Sequence, residues 1–514
     1  MATKQIKKTD SKKLSLALKT LKKLQDKRHG VIESKDLLAA ERSLLLETGF
    51  IQPVMKGWYI CSNPSEQDGG STLWYANYWA FLSGYLAKRF SKRYCLNPEA
   101  SLLLHTGNTT IPKQITIVTK DSGTSIVTLP FDTSIVLYQD EKRVPKTRTE
   151  IRGLQALPIA EALCMAGPQF FINYPMEAEI ALAMVRDPSE LLATLLVGNC
   201  LPTAAARLAG ALIFANRQDD AERILKALAK AGHPIQPKNP FVLPEPTISQ
   251  SREKSPYVLR IRSMWAKWRE EVVAHFPKAP GLTRSKAAYL KEIQERYVAD
   301  AYNSLSIEGY QVTDELIERI AKEGWNPEIS EEDKKSKDAL AARGYFLAFN
   351  EVKESIKLIL AKANSGEIVR KSHHDWYAAM FNPAVLAGIL QRHQLAGYRT
   401  GPVFIRGSLH TPLPREALLD SMETLFDLLA QEPEPAVRAV LGHHIFVFIH
   451  PYFDGNGRIG RFLMNALLAS GGYPWTVIRV SERKRYMSAL EKASVGGDIK
   501  PLTQFIAGEM AQTG

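Results

Sequence analysis

Six prolines between residues 234 and 256 (Pro234, Pro237, Pro240, Pro244, Pro246 and Pro256) interrupt any helix or β-ladder that could run through that stretch. One continuous core cannot cross such a run. It therefore predicts an extended, semi-rigid linker over 234–256, with independent folding on either side. The 514 residues leave room for about three domains at the usual ~100–200 residues each.

Before the prolines, Leu14, Leu18, Leu21 and Leu24 recur at helical spacing among lysines, which predicts an amphipathic first helix. Two short helices, 34–39 and 41–48, are expected next, the second stopped by Gly49. Strand-like runs at 51–55 and 58–61 then join across Lys56-Gly57. Three helices and a β-ribbon over 1–64 make a winged helix-turn-helix, whose third helix would enter a DNA groove. Lys12, Lys13, Lys19, Lys22, Lys23 and Arg42 would supply phosphate contacts that position rather than specify. Residues 1–30 hold ten Lys/Arg against two Asp, most of the chain's net +12, which favours a nucleic-acid partner. Residues 65–233 read as a mixed α/β then helical domain, in which 65–160 form a small mixed α/β unit with antiparallel strands at 114–119, 125–130 and 133–138. A helical region over 155–232 follows.

Composition excludes some classes. The most apolar stretch, 191–214, carries Asn199 and Arg207, so no membrane span is expected. The lysine-rich start lacks the apolar region of a secretory signal. Cys61, Cys95, Cys164 and Cys200 show no C-x-x-C spacing, which argues against a zinc site or a disulfide framework and for a reducing, cytoplasmic location.

Beyond the prolines, 257–514 has helical periodicity almost throughout, so the chain is expected to be mainly α and multidomain. Its chemistry concentrates in twelve residues, His450-Pro-Tyr-Phe-Asp454-Gly455-Asn456-Gly457-Arg458-Ile-Gly-Arg461. The glycines can bare backbone N–H groups to an anion at the start of a helix continued by Ile459, Phe462, Leu463, Ala466 and Leu467. Arg458 and Arg461, three apart, can both fork onto phosphate oxygens. Asp454 suits magnesium, and His450 can accept a proton from an attacking hydroxyl.

This stretch resembles the H-P-x-x-[DE]-G-N-G-R-x-x-R core motif of the Fic family, with Tyr452 where that family most often has Phe. The resemblance implies an all-α Fic fold over 257–514 and transfer of AMP from ATP to a Ser, Thr or Tyr hydroxyl of a target protein. It assigns the base to His450, Mg2+ to Asp454 and the phosphates to Gly455, Asn456, Gly457, Arg458 and Arg461. Residues 397–412 resemble the family's β-hairpin flap, in which Val403, Phe404, Ile405 and His410 would hold a target segment. Ser304-x-x-x-Glu308-Gly309, within 286–309, is similar to the family's inhibitory helix, whose glutamate pairs with the second motif arginine, here Arg461. Tyr310 stands where the family often has Asn. Tyr486 falls where a wall of the adenine pocket is expected. Residues 12–62 also look like the winged-helix heads of AbiEi-type antitoxins. Another donor, AMP removal, or a DNA-binding regulator with the Fic half as sensor or toxin remain open, as does a homodimer.

Overall fold

The computed structural model describes residues 8–513 except 29, 63, 65–70, 122, 141–143, 197–200, 244, 248–254, 283–284 and 324–336. The chain is mainly α and multidomain. It divides into two compact units, one of residues 1–256 with 404–411 and the other of 257–403 with 412–514. Among the described residues no helix is long and apolar enough to cross a membrane.

The first unit opens with α1 (Lys8–Arg28), β1 (Val31–Glu33), α2 (Ala39–Glu47), β2 (Ile51–Met55) and β3 (Trp58–Cys61). Leu21 is buried, and Leu14, Leu18 and Leu24 pack beside it against Ile32, Leu45 and Ile51. Gly49, at φ +75°, ends α2 as a glycine beyond a helix should, with its N–H on the Leu46 carbonyl. The helix expected at 34–39 does not form. Ser34–Asp36 makes a single 3₁₀ turn, and Leu37 and Leu38 are extended. Just before that turn, β1 pairs antiparallel with β3 to complete a sheet in the order β1-β3-β2.

Next come α3 (Thr72–Phe90), β4 (Tyr94–Leu96), α4 (Pro98–His105), β5 (Gln114–Thr119), β6 (Ser125–Thr128) and β7 (Ser134–Gln139). The sheet runs β4-β5-β7-β6, and β5 and β7 are parallel, not antiparallel as expected. Burial explains this arrangement. Ile115, Ile117, Ile135 and Leu137 belong at the sheet's centre, whereas β6 leaves Ile126 65% exposed and serves as an edge. A hairpin of β8 (Thr149–Ile151) and β9 (Leu154–Ala156) leads into six helices: α5 (Ile159–Met165), α6 (Pro168–Asn173), α7 (Pro175–Met184), α8 (Pro188–Leu196), α9 (Pro202–Phe214) and α10 (Gln218–Lys230). The proline-rich run is not a free spacer where it is described. Phe241 is buried and stacks on Phe214 with ring centroids 4.5 Å apart, and the Lys238 N–H donates to the Ala206 carbonyl.

The second unit holds α11 (Pro256–His275), α12 (Lys286–Glu295), α13 (Tyr297–Ile307), α14 (Asp314–Glu323), α15 (Lys337–Leu360), α16 (Ser365–Leu386), α17 (Leu418–Gln431), α18 (Pro435–Ile449), α19 (Asn456–Ala469), α20 (Arg483–Ser494) and α21 (Lys500–Thr513). The helical stretch expected from 286 breaks at Arg296, so α13 alone carries Ser304 to the site. Almost every residue of α18 and α19 is buried, and α15 and α16 pack against α19. The loop between α18 and α19 is thus held at both ends by the centre of the unit.

Candidate active site

His450 caps α18 in left-handed backbone (φ 57°, ψ 61°), a conformation that costs a residue with a Cβ about 1–2 kcal/mol. Arg399 braces it from outside the helix. Its Nε donates to the His450 carbonyl at 2.8 Å, and its own N–H donates to the Pro451 carbonyl at 2.9 Å. With no carboxylate beside it, burial pulls the Arg399 guanidinium down to about 10. Asn456 closes the loop from the other side, accepting from the Tyr452 N–H at 2.9 Å and donating to the Tyr452 carbonyl at 2.8 Å. The Asn456 side chain is therefore committed to loop geometry, and only its backbone can face an anion. The hydroxyl that Tyr452 adds to the expected Phe lies 2.9 Å from His374 Nδ1, so the departure carries no unpaired polar group.

The imidazole of His450 is only partly exposed, and its Nδ1 lies 3.0 Å from the Val447 carbonyl. A carbonyl can only accept, so Nδ1 carries the proton and Nε2 keeps its lone pair. Burial pushes the ring down to about 4, Arg399 acting in the same sense and Glu308 and Asp454 against it. At neutral pH the ring is uncharged and able to take a proton.

Gly455, at φ +78°, opens α19, and a Cβ there would sit 2.9 Å from the Phe381 ring. Two residues on, a Cβ on Gly457 would fall 2.3 Å from Glu308 Oε1. The missing side chain at 457 is what lets a carboxylate rest against the first turn of the helix, where the backbone favours negative charge. Arg461, buried, donates from Nη2 to Glu308 Oε1 at 2.8 Å and to the Ser304 carbonyl at 3.0 Å, and from Nε to Ser304 Oγ at 2.9 Å. Although burial alone would lower the Arg461 guanidinium, the Glu308 carboxylate raises it above its ordinary value. Arg458 is also buried, 3.3 Å from Asp454 Oδ1, and its Nε has no hydrogen-bond partner. Asp454 remains 65% exposed and receives the Gly455 N–H at 2.6 Å.

Glu308 is aimed by the end of its helix. The Tyr310 N–H donates to the Leu305 carbonyl and the Gly309 N–H, at φ +90°, to the Ser306 carbonyl. These two bonds form a Schellman stop, which fixes the direction of both Glu308 and Tyr310. Tyr310 lays its ring over Arg458 at 5.2 Å, a cation–π contact that motif reading did not supply. The same short segment thus engages both motif arginines.

Two expectations do not hold. Tyr486 is 1% exposed, its ring stacked on His443 and on Phe505, with its hydroxyl 2.7 Å from His443 Nε2, so it has no free face for a purine. The strand pair expected at 397–412 is absent; Pro402 cannot donate to a ladder. Val403, Phe404 and Ile405 are irregular, with Phe404 42% exposed. His410 makes one isolated antiparallel bridge, to Thr110, and its Nδ1 lies 2.8 Å from Thr109 Oγ1. In the first unit, Lys12, Lys13, Lys19, Lys22 and Lys23 are exposed on α1, while Arg42 donates to the Ser34 carbonyl at 2.9 Å.

Residues 367–468 match the family model described as Fic/DOC family. Relatives include proteins named protein adenylyltransferase Fic from Nematostella vectensis, 42% identical over 114 residues (21% of this chain and 26% of that protein), and from Drosophila erecta, 47% identical over 73 residues (14% of each). The chain therefore spans about a quarter or less of the length of these relatives. The solved structure of Fic-1 (aa134–508) from C. elegans superposes with a TM-score of 0.37 at 18% identity, covering 66% of this chain and 96% of that one. The matched stretch, 367–468, contains His450, Gly457 and Arg461, so the similarity to the Fic/DOC family lies in the domain that carries the candidate site.

Proposed function

We propose that this protein is an adenylyltransferase that moves AMP from ATP onto a Ser, Thr or Tyr hydroxyl of a target protein, and that Glu308 holds it off at rest. The observation that carries this reading is the Glu308 carboxylate lying between Arg461 and the first turn of α19 at Gly457. A carboxylate there takes the place of a phosphate. His450 Nε2 accepts the target's hydroxyl proton as its oxygen attacks the α-phosphorus; the bond from that phosphorus to the bridging oxygen breaks, and pyrophosphate leaves. Backbone N–H groups at 456 and 457 hold the phosphate oxygens, and Arg458 and Arg461 grip the far phosphates once Glu308 withdraws.

Among the described residues no group of three or more His, Cys, Asp or Glu side chains could hold a metal ion. Asp454, an exposed carboxylate at the mouth of the loop, is the residue that would hold a magnesium ion. When bound, such an ion neutralises charge on the leaving phosphates. The test is mass spectrometry of the Glu308→Gly variant with ATP and cell lysate: an AMP adduct on a hydroxyl side chain is expected, and none with UTP. Adducts from UTP alone, or loss of AMP from a pre-modified target, would replace this reading.

The pH profile gives an independent check. The usual histidine loses its basic form below about 6.5, whereas the buried His450 keeps it to about 4. Transfer by the Glu308→Gly variant should stay level from pH 8 down to about 5 on this account, and an acid limb near 6.5 would contradict it.

A second reading concerns the first unit, where five lysines lie exposed on one helix beside a three-stranded sheet. We infer that α1 contacts a polyanion, with DNA the partner expected. Gel-shift affinity for duplex DNA should fall steeply between 50 and 200 mM salt, and about five contacts would cost roughly 10²–10³-fold. Affinity indifferent to salt would remove this reading.

A further inference from the structure

The first unit contains a cavity of charged and apolar character, apart from the residues of the site described above. It is a cleft of about 1020 Å³ between the sheet and the helices α5, α8 and α9. Leu96, Val118, Leu157 and Leu201 give it apolar walls. Three charged side chains also line it: Glu99 on α4, which already accepts from the Gly167 N–H and the Asn97 amide, Glu161 on α5 and Arg207 on α9. Neither Glu161 nor Arg207 has an ion-pair partner among the described residues.

The state of Arg207 is unusual for a guanidinium. Its Nη2 makes one long hydrogen bond, 3.4 Å to the Cys164 carbonyl, and its Nε is buried with no partner. The ring of Phe171 lies 5.7 Å from its central carbon. A buried donor left unmade costs about 1–3 kcal/mol, more when charged, and folding gains nothing from leaving it so. A fork of N–H groups facing an apolar cleft is a receptor for a carboxylate. Burial lowers the Arg207 guanidinium, with the Cys164 thiol opposing, and no carboxylate restores it.

Glu161 lies three residues from Cys164, hence about one helical turn away on the same side of α5. Burial raises its carboxyl above the ordinary range, again with no cation near enough to oppose. Both charges act on the Cys164 thiol, which burial pushes up to about 12 while Arg207 lowers it and Glu161 raises it. The thiol therefore lies near both, with one unmet cation and one unmet anion on the cleft's wall.

We propose that this cleft binds a small zwitterion with an apolar body, an α-amino acid or a short peptide, its carboxylate on Arg207 and its ammonium on Glu161. The reading is independent of nucleotide chemistry in the second unit. The cleft is of the size that takes such ligands, for which ~300–1,000 Å³ is usual.

Calorimetric titration of the full chain with L-phenylalanine and with the dipeptide Leu-Phe separates the two sources. Saturable binding of at least one is expected, weakened about tenfold or more in Arg207→Gln and in Glu161→Gln. N-acetylphenylalanine, which lacks the ammonium, and phenethylamine, which lacks the carboxylate, should each bind at least about tenfold more weakly than phenylalanine. Should Arg207→Gln fail to fold by circular dichroism, Arg207→Lys keeps the charge but loses the fork and should still weaken binding. Absence of saturable binding for both probes overturns the proposal. So does equal binding by the acetylated compound, or affinity unchanged by either substitution.

Discussion

In the Glu308→Gly variant, self-modification by labelled ATP should rise about 5–150-fold over the parent, the range of a 1–3 kcal/mol coupling between two ligands of one site. The competition is direct. Arg461 spends Nη2 on Glu308 Oε1 at 2.8 Å, and the same carboxylate fills the space above Gly457. A triphosphate arriving there meets a negative charge and an arginine already neutralised. Removing the side chain clears both obstacles at once. Glu308→Gln separates them, because its amide oxygen still accepts from Arg461 but the charge is gone; an intermediate rate is expected. Thermal melting must accompany the assay, since the pair also ties the end of α13 to α19. Equal labelling of parent and variant, with both folded, would remove the lock from the mechanism. Tyr310→Ala should add a smaller increase, because it frees only the face of Arg458.

How much of this could be read from the residues depends on how far each contact reaches along the chain. The loop 450–461 was legible because its parts are neighbours: a helix end, a glycine turn and a new helix start within twelve residues. Glu308 was reachable only through a resemblance, since nothing local says that a helix-end carboxylate will meet an arginine 153 residues later. Tyr310 and Arg399 were missed as working residues for the same reason. Their roles consist of a ring laid over a distant guanidinium and a guanidinium spent on carbonyls, neither of which leaves a periodic trace. The parallel pairing of β5 and β7 escaped because alternation reports which face is buried, not which strand lies alongside. Tyr486 shows the opposite error, in which an aromatic at helical spacing was given a ligand when the core had already claimed both of its faces. The expected hairpin failed on chemistry visible in the sequence, namely Gly401-Pro402 inside the stretch 397–412.

His450→Ala should cost about 10²–10⁴-fold in transfer, the usual worth of a positioned general base, while ATP binding stays near that of the parent. The split follows from where the ring sits. No phosphate ligand depends on it, because the nest begins beyond Gly455 and the arginines are held by α13 and Asp454. Since the resting protein is expected to be off, the loss must be measured in the Glu308→Gly background, where there is activity to lose. Alanine in left-handed backbone also gives up the bond from Nδ1 to Val447, so a fall in rate could come from a displaced loop. His450→Asn controls for that: asparagine tolerates φ near +57° and can still donate to the carbonyl, but offers no base. If both variants bind ATP and neither transfers AMP, the ring supplies the proton acceptor. If asparagine restores the parental rate, His450 only shapes the turn, and the hydroxyl proton must leave by another route.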